Sequence, residues 1–369
     1  MFNRMPKPLN IFVDCHVFDG SFQGTTTYLK GMYLEMLKDK SLNYYFAAND
    51  VQKIRSVFGE HDNVHYLKYS SHNKFYRLLI DIPRLIKANK IDFAHFQYIV
   101  PPIKNCRYIN TIHDVLFLDY PNYFPLSYQI KNKWLFKWSA KKSDINLTVS
   151  EFSKLRIQKH FGLQDILITP NAVDPIYYES YDKAVFKQKV KQSYGLDRYW
   201  LYISRWEPRK NHDTLLKVFV ENQFYKTFSL VFIGDKSIEN NAYNTYYERL
   251  SEEIKSKILT LNKVDFQQLL TILRGADLSV YPTHAEGFGI PPLESIAAGI
   301  PTACSNTTAM QDFTFLKKNQ FDPAEKENMA TVIKQTLAEN LDISIVEQLK
   351  MQYDWELSAQ ILLKAIKKQ

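Results

Sequence analysis

The segment His284-Ala285-Glu286-Gly287-Phe288-Gly289-Ile290-Pro291-Pro292-Leu293-Glu294-Ser295-Ile296-Ala297-Ala298-Gly299-Ile300-Pro301 decides the fold. It follows an apolar run ending at Tyr281-Pro282 and leads into a helix expected to start near Pro292, because proline is tolerated in a first helical turn. Strand, glycine loop and helix N-terminus in succession make an anion site: glycines let the backbone approach a phosphate, and the unpaired N–H groups of the helix start point at it. Glu286 in the loop and Glu294 in the first helical turns can line one pocket and accept hydrogen bonds from hydroxyl groups. Alternatively, Glu294 simply favours the helix N-terminus electrostatically.

Outward from this segment the pattern is α/β. Leu278 to Tyr281 is preceded by strand candidates at 200–204, 229–234 and 257–261. In the first half, candidates lie at 11–14, 44–48, 93–96, 108–112 and 145–149, with a helix over 28–38. Apolar runs of this length between helices argue parallel sheets covered on both faces. At 369 residues two domains are expected. Pro170-Asn171-Ala172-Val173-Asp174-Pro175 has the composition of a crossing between them. The domains are therefore read as 1–173 and 174–354, with a final helix over about 355–369.

Composition excludes disorder: 45% of residues are hydrophobic, 14% aromatic and 23% charged. Cys15, Cys106 and Cys304 are too scattered for a disulfide framework or a cysteine-ligated metal. Residues 1–8 are too short and polar for a signal peptide, so the protein is read as cytoplasmic. Residues 1–175 hold 23 Lys+Arg against 15 Asp+Glu, whereas the remainder holds 24 of each. Such asymmetry suits either an anionic partner or a basic surface kept for solubility.

Arg205-Trp206-Glu207-Pro208-Arg209-Lys210-Asn211-His212 follows the first strand of the second series. Arg205 and Lys210 can neutralise a diphosphate, one as a fork and the other as a point charge, and Arg209 is expected to point away. Thr111-Ile112-His113-Asp114 ends a strand of the first series, where open α/β sheets place ligands; a purely structural His–Asp pair is the alternative.

Together these segments resemble glycosyltransferase family 4, a retaining family with a Glu-x7-Glu signature. The resemblance implies the GT-B fold, two Rossmann-like domains facing across a cleft, the first taking the acceptor and the second a UDP- or GDP-linked sugar. It implies that Glu286 contacts the transferred sugar and Glu294 the ribose, and that the backbone around Phe288, Gly289 and Ile290 contacts sugar and phosphate. Arg205 and Lys210 would hold the pyrophosphate, replacing a metal, and His113 would approach the sugar as a hydrogen-bond partner. No cofactor or metal is implied, and a front-face mechanism is. The loop Gly20-Ser21-Phe22-Gln23-Gly24-Thr25-Thr26-Thr27 departs from the family's consecutive glycines, leaving the amide role to Gly24 and Thr25. Asn262 stands where a glycine is common near the base, which leaves base preference open.

The expected activity is transfer of a hexose-type sugar to a hydroxyl of a glycan or lipid-linked glycan in surface polysaccharide, such as lipopolysaccharide, synthesis. An epimerase or glycogen-synthase-like enzyme of the same fold is the alternative. A nucleic-acid-binding protein is disfavoured, because no recognisable module accompanies the positive charge. Residues 74–80 and 131–142 mix lysine with exposed-type aromatics, as at a membrane interface or on a half-buried helix with lysines reaching outward. Peripheral binding to an anionic membrane surface is the partner expected from the first of these.

Overall fold

A computed structural model describes residues 8–20, 24–236, 238–339 and 341–369. The chain forms two compact units: the first runs to Ala172 and takes back Asp354–Gln369, and the second is Val173–Tyr353. Among the described residues no helix is long and apolar enough to cross a membrane.

The sheet of the first unit contains β1 (Leu9–Asp14), β2 (Leu42–Ala48), β3 (Val64–Lys68), β4 (Phe93–Gln97), β5 (Arg107–Thr111), β6 (Ile145–Thr148) and β7 (Leu167–Ile168). Its order is β3-β2-β1-β4-β5-β6-β7, with every pair parallel. The second unit holds β8 (Tyr199–Ile203), β9 (Ser229–Ile233), β10 (Ile258–Leu261), β11 (Leu278–Tyr281), β12 (Thr302–Ser305) and β13 (Gln320–Phe321), in parallel order β10-β9-β8-β11-β12-β13. Each order reverses beside its first strand, between β1 and β4 and between β8 and β11. The crevice at the carboxyl ends of the strands flanking such a reversal is where open α/β sheets bind ligands.

The apolar runs became strands for the expected reason. Phe12, Ala94, Phe96 and Tyr108 are buried in one cluster with Ile82 and Ile86 of the helix Ile82–Ala88. Ser150 caps the helix Glu151–Phe161 by accepting from the Ser153 N–H at 3.0 Å. Four strands lie outside the expected spans, none with an apolar run of four or more residues to announce it. β12 reads Thr-Ala-Cys-Ser yet is wholly buried, β3 alternates only weakly, and β7 and β13 are two-residue edge strands.

The first helix, Gly24–Met36, starts four residues before the expected span, so Gly24 and Thr25 lie in its first turn rather than in a loop. Ser21, Phe22 and Gln23 lie outside the described residues. The helix Trp355–Lys368 packs on this first helix, with Trp355 buried edge-on to Tyr28 at 6.2 Å. Gly31 makes that fit: a Cβ there would lie 2.1 Å from the Trp355 ring. Ser358 Oγ donates to the Pro170 carbonyl at 2.8 Å, fixing the returning helix beside the chain's exit from the unit.

Candidate active site

Two loops at the β8/β11 reversal build the site. Residues 204–211 follow β8, and residues 282–289 follow β11. They are cross-braced through the backbone. The His284 N–H donates to the Arg209 carbonyl at 2.8 Å, and Thr283 Oγ1 donates to the same oxygen at 3.1 Å. Asn211, at φ 61°, caps neither loop alone: its Nδ2 donates to the carbonyls of Pro282 at 3.0 Å and Pro323 at 2.9 Å. Tyr202 reaches from β8 to donate to the Lys210 carbonyl at 2.7 Å.

This bracing brings Glu286 against two cations. Lys210 Nζ donates to Glu286 Oε1, and Arg209 Nη1 donates to Glu286 Oε2 at 3.0 Å and to the Ala285 carbonyl at 2.6 Å. Arg209 also pairs with Glu207 at 2.7 Å. Burial acts to raise the Glu286 carboxyl, but Lys210 and Arg209 overcome it and bring it down to about 2. Glu286 is therefore a carboxylate that accepts hydrogen bonds throughout the physiological range. Burial lowers the Lys210 ammonium from its ordinary value, against the pull of Glu286.

The orientation of the two arginines is the reverse of the sequence expectation. Arg209 is turned in, with 11% of its side chain exposed, whereas Arg205 is 62% exposed and meets Glu207 at 3.1 Å. The short helical turn Pro208–Lys210 explains the difference, since it swings residue 209 under the Glu286 loop and leaves residue 205 at the open end of β8.

Gly289, at φ 102°, caps the helix Ile290–Ala297, which begins two residues before the expected Pro292. A side chain at Gly289 would be strained, and its Cβ would also press on Met310 at 3.1 Å. Pro291 and Pro292 have no N–H, so the amides at this helix start with no acceptor within the helix, left to meet an anion, are those of Gly289 and Ile290. Phe288 turns away and packs against Phe313 and Tyr353. One turn into the helix, Glu294 receives a hydrogen bond from Tyr177. Burial raises the Glu294 carboxyl to about 7, the Tyr177 bond opposing and Asp174 adding to the rise.

His113 lies in the first unit, past the end of β5, and is buried. Its Nε2 meets Gln97 Oε1 at 2.6 Å, and its ring packs edge-on to Tyr28 at 5.0 Å. Burial lowers the imidazole to about 3, so it is neutral with Nε2 carrying the proton.

Arg209, Tyr177, Gln97 and Thr308, whose Oγ1 accepts from the Glu286 N–H at 2.9 Å, all touch the site residues and were not expected to. Only Arg209 was within reach of the sequence, by its place between Glu207 and Lys210. Among the described residues no group of three or more His, Cys, Asp or Glu side chains is placed to hold a metal ion.

Residues 186–350 match the family described as "Glycosyl transferases group 1", and residues 44–176 match "Glycosyltransferase Family 4". The chain is 25% identical over 340 residues to an O-antigen chain mannosyltransferase B of Escherichia coli, covering 86% of this chain and 88% of that protein. It is 26% identical over 255 residues to the O-antigen chain mannosyltransferase RfbU of Salmonella typhimurium, covering 68% and 66%. Among solved structures it is similar to a sucrose-phosphate synthase from Thermosynechococcus elongatus, with a TM-score of 0.75 over 98% of both chains at 15% identity, a likeness of fold. With a fold of the GT-B type and both halves matched, the chain belongs to glycosyltransferase family 4 and is a glycosyltransferase.

Proposed function

We propose that this enzyme transfers a hexose, with mannose the first candidate, from a UDP- or GDP-linked donor to a hydroxyl of a glycan or lipid-linked glycan during surface polysaccharide synthesis. The observation that carries the donor half is the Glu286 carboxylate clamped between Lys210 and Arg209 beside a helix N-terminus. Mannose rests on the two relatives named as mannosyltransferases. A lipid-linked acceptor puts the enzyme in the cytoplasm, at the inner face of the membrane.

In this reading the donor diphosphate meets Lys210, the exposed Arg205 closes on it, and the helix start supplies the N–H groups of Gly289 and Ile290. Glu286 accepts from hydroxyls of the sugar, and Glu294 from the ribose. Within the first unit, His113 has Nε2 committed to Gln97, which leaves Nδ1 as the acceptor atom of its ring. The anomeric carbon's bond to the phosphate oxygen breaks as the acceptor oxygen bonds to it on the same face. The acceptor's proton passes to the leaving phosphate, so the configuration is retained. Fixed positive groups stabilise the leaving charge in place of a metal.

The direct test is incubation of the purified protein with GDP-mannose or UDP-hexoses and a lipid-linked glycan acceptor, with the product anomer read by NMR. Release of nucleoside diphosphate without any acceptor would indicate an epimerase instead. Chelation is expected to leave turnover within about twofold, because Lys210 and the arginines supply the positive charge; loss of activity in EDTA, restored by magnesium, defeats that part.

A pH effect follows from Glu294. Ribose hydroxyls donate more strongly to its ionised form, and burial raises its titration to about 7. Donor affinity is therefore expected to be about tenfold weaker at pH 6 than at pH 8, by proton linkage. Tyr177→Phe removes the hydrogen bond that favours the carboxylate, so the midpoint should move to higher pH. Calorimetric titrations showing a pH-independent Kd would exclude this role for Glu294.

A further inference from the structure

Two segments that the sequence keeps about fifty residues apart lie on one face of the first unit. Residues 74–88 run through a wide helical turn, Arg77–Asp81, into the helix Ile82–Ala88. The second segment is the helix Leu126–Lys142. Leu78, Ile82 and Ile86 of the first share a core cluster with Trp138 of the second. Lys131 is close enough to Lys74 to lower its ammonium together with Arg77, though burial is the larger cause.

From that shared core the apolar surface continues outward. Trp134 stacks on Trp138 at 6.4 Å with planes 10° apart, and 65% of it is exposed, as is Ile130 one turn before it. Across the seam Phe75 is 68% exposed, and Leu79 and Ile80 are nearly half exposed. A monomer leaves scattered apolar side chains in water, but a run of this kind marks an interaction surface.

The charges say which partner. Leu126–Lys142 carries five lysines and no Asp or Glu. Residues 74–88 carry four basic residues and one acid, Asp81, which is buried. Asp81 is taken up by the Ser70 N–H at 2.9 Å, the Ser70 hydroxyl at 2.6 Å and Arg84 at 3.0 Å. Aromatic and aliphatic side chains ringed by lysine and free of exposed acid match an anionic bilayer, where rings settle among headgroups and ammonium groups meet lipid phosphate.

We propose that this joint face of residues 74–88 and 126–142 is a docking surface for an anionic lipid bilayer, with Trp134, Ile130 and Phe75 inserted and Lys74 and Lys131 on the phosphates. It gives a surface to the membrane location proposed above and rests on that reading for its biological sense. Binding itself needs neither donor nor acceptor, so the two fail separately.

The experiment is co-sedimentation of the full chain with phosphatidylglycerol/phosphatidylcholine vesicles and with phosphatidylcholine alone, at low salt, alongside tryptophan emission. Trp200, Trp206 and Trp355 are buried, so a blue shift on binding reports the 134/138 pair. The wild type should bind the anionic vesicles, lose most binding in high salt, and bind phosphatidylcholine weakly. Ile130→Ser/Trp134→Ser and, separately, Lys74→Glu/Lys131→Glu should each weaken binding at least about tenfold, at roughly fivefold per charge removed. Ile343→Ser/Met351→Ser, which removes equally exposed apolar groups from the second unit, should not.

Turnover on a water-soluble acceptor should be unchanged in all three. Wild type that stays in the supernatant, or patch variants that bind like the control, overturn the proposal while leaving the transfer reaction intact. A wild-type dimer that the patch substitutions split would make the face a protein interface and overturn it as well.

Discussion

Glu286→Gln is expected to lower turnover by about a hundredfold or more, the scale set by losing one fixed group at the reacting centre, while circular dichroism shows a folded chain. The side chain is nearly isosteric, but a neutral amide replaces the carboxylate between Lys210 and Arg209. That leaves two buried cations with Glu207 as their remaining acid, at a stability cost of about 3 kcal/mol by analogy with breaking a buried pair. A nucleoside diphosphate brings the missing negative charge. It should therefore raise the melting temperature of Glu286→Gln by more than it raises that of wild type. Lys210→Met gives the opposite pattern: activity falls comparably, and the diphosphate-induced rise in melting temperature shrinks. Either variant turning over within threefold of wild type sinks the assignment of this cluster to the donor.

The second large effect is on stability. Gly31→Ala places a methyl group 2.1 Å from the Trp355 ring, inside any tolerable contact, and the neighbour is a bulky indole rather than the end of a flexible chain. The ring must leave its place, so the loss should approach that of Trp355→Ala, about 3 to 5 kcal/mol for a buried tryptophan. For a unit of this size that is a fall of roughly 10 °C in its melting transition. Because the two residues act through one contact, the double variant Gly31→Ala/Trp355→Ala should be no less stable than Trp355→Ala alone. Calorimetry finding Gly31→Ala unchanged, or the two losses additive, would falsify the packing account.

The parts of this architecture that were legible in advance are those in which local chemistry and tertiary environment agree. Ile11 to Val13, Phe93 to Phe96 apart from His95, and Leu230 to Ile233 are apolar because both faces of their sheets are covered, so the apolar runs were enough. β12 was illegible because Thr302, Ala303, Cys304 and Ser305 are small residues made buried only by what packs around them. The site divides in the same way. The glycine loop and its two glutamates are contiguous, and their chemistry is carried by spacing. The choice between Arg205 and Arg209 depended on a single turn of helix over Pro208–Lys210, which no charge pattern encodes. Tyr177 and Gln97 reach Glu294 and His113 from over a hundred and from sixteen residues away, through the fold alone.

The return of Trp355–Lys368 to the first unit has a consequence for how the chain is made. A ribosome delivers Ala172 long before Trp355, and at about 5 to 20 residues per second the interval is on the order of ten to forty seconds. Throughout it, the slot beside Gly31 and Tyr28 stands open, with Tyr28 lacking the indole it will later meet. The nascent first unit thus waits, incomplete, for a segment synthesised after the whole of its neighbour. Its final closure is a report that the second unit has already been threaded through.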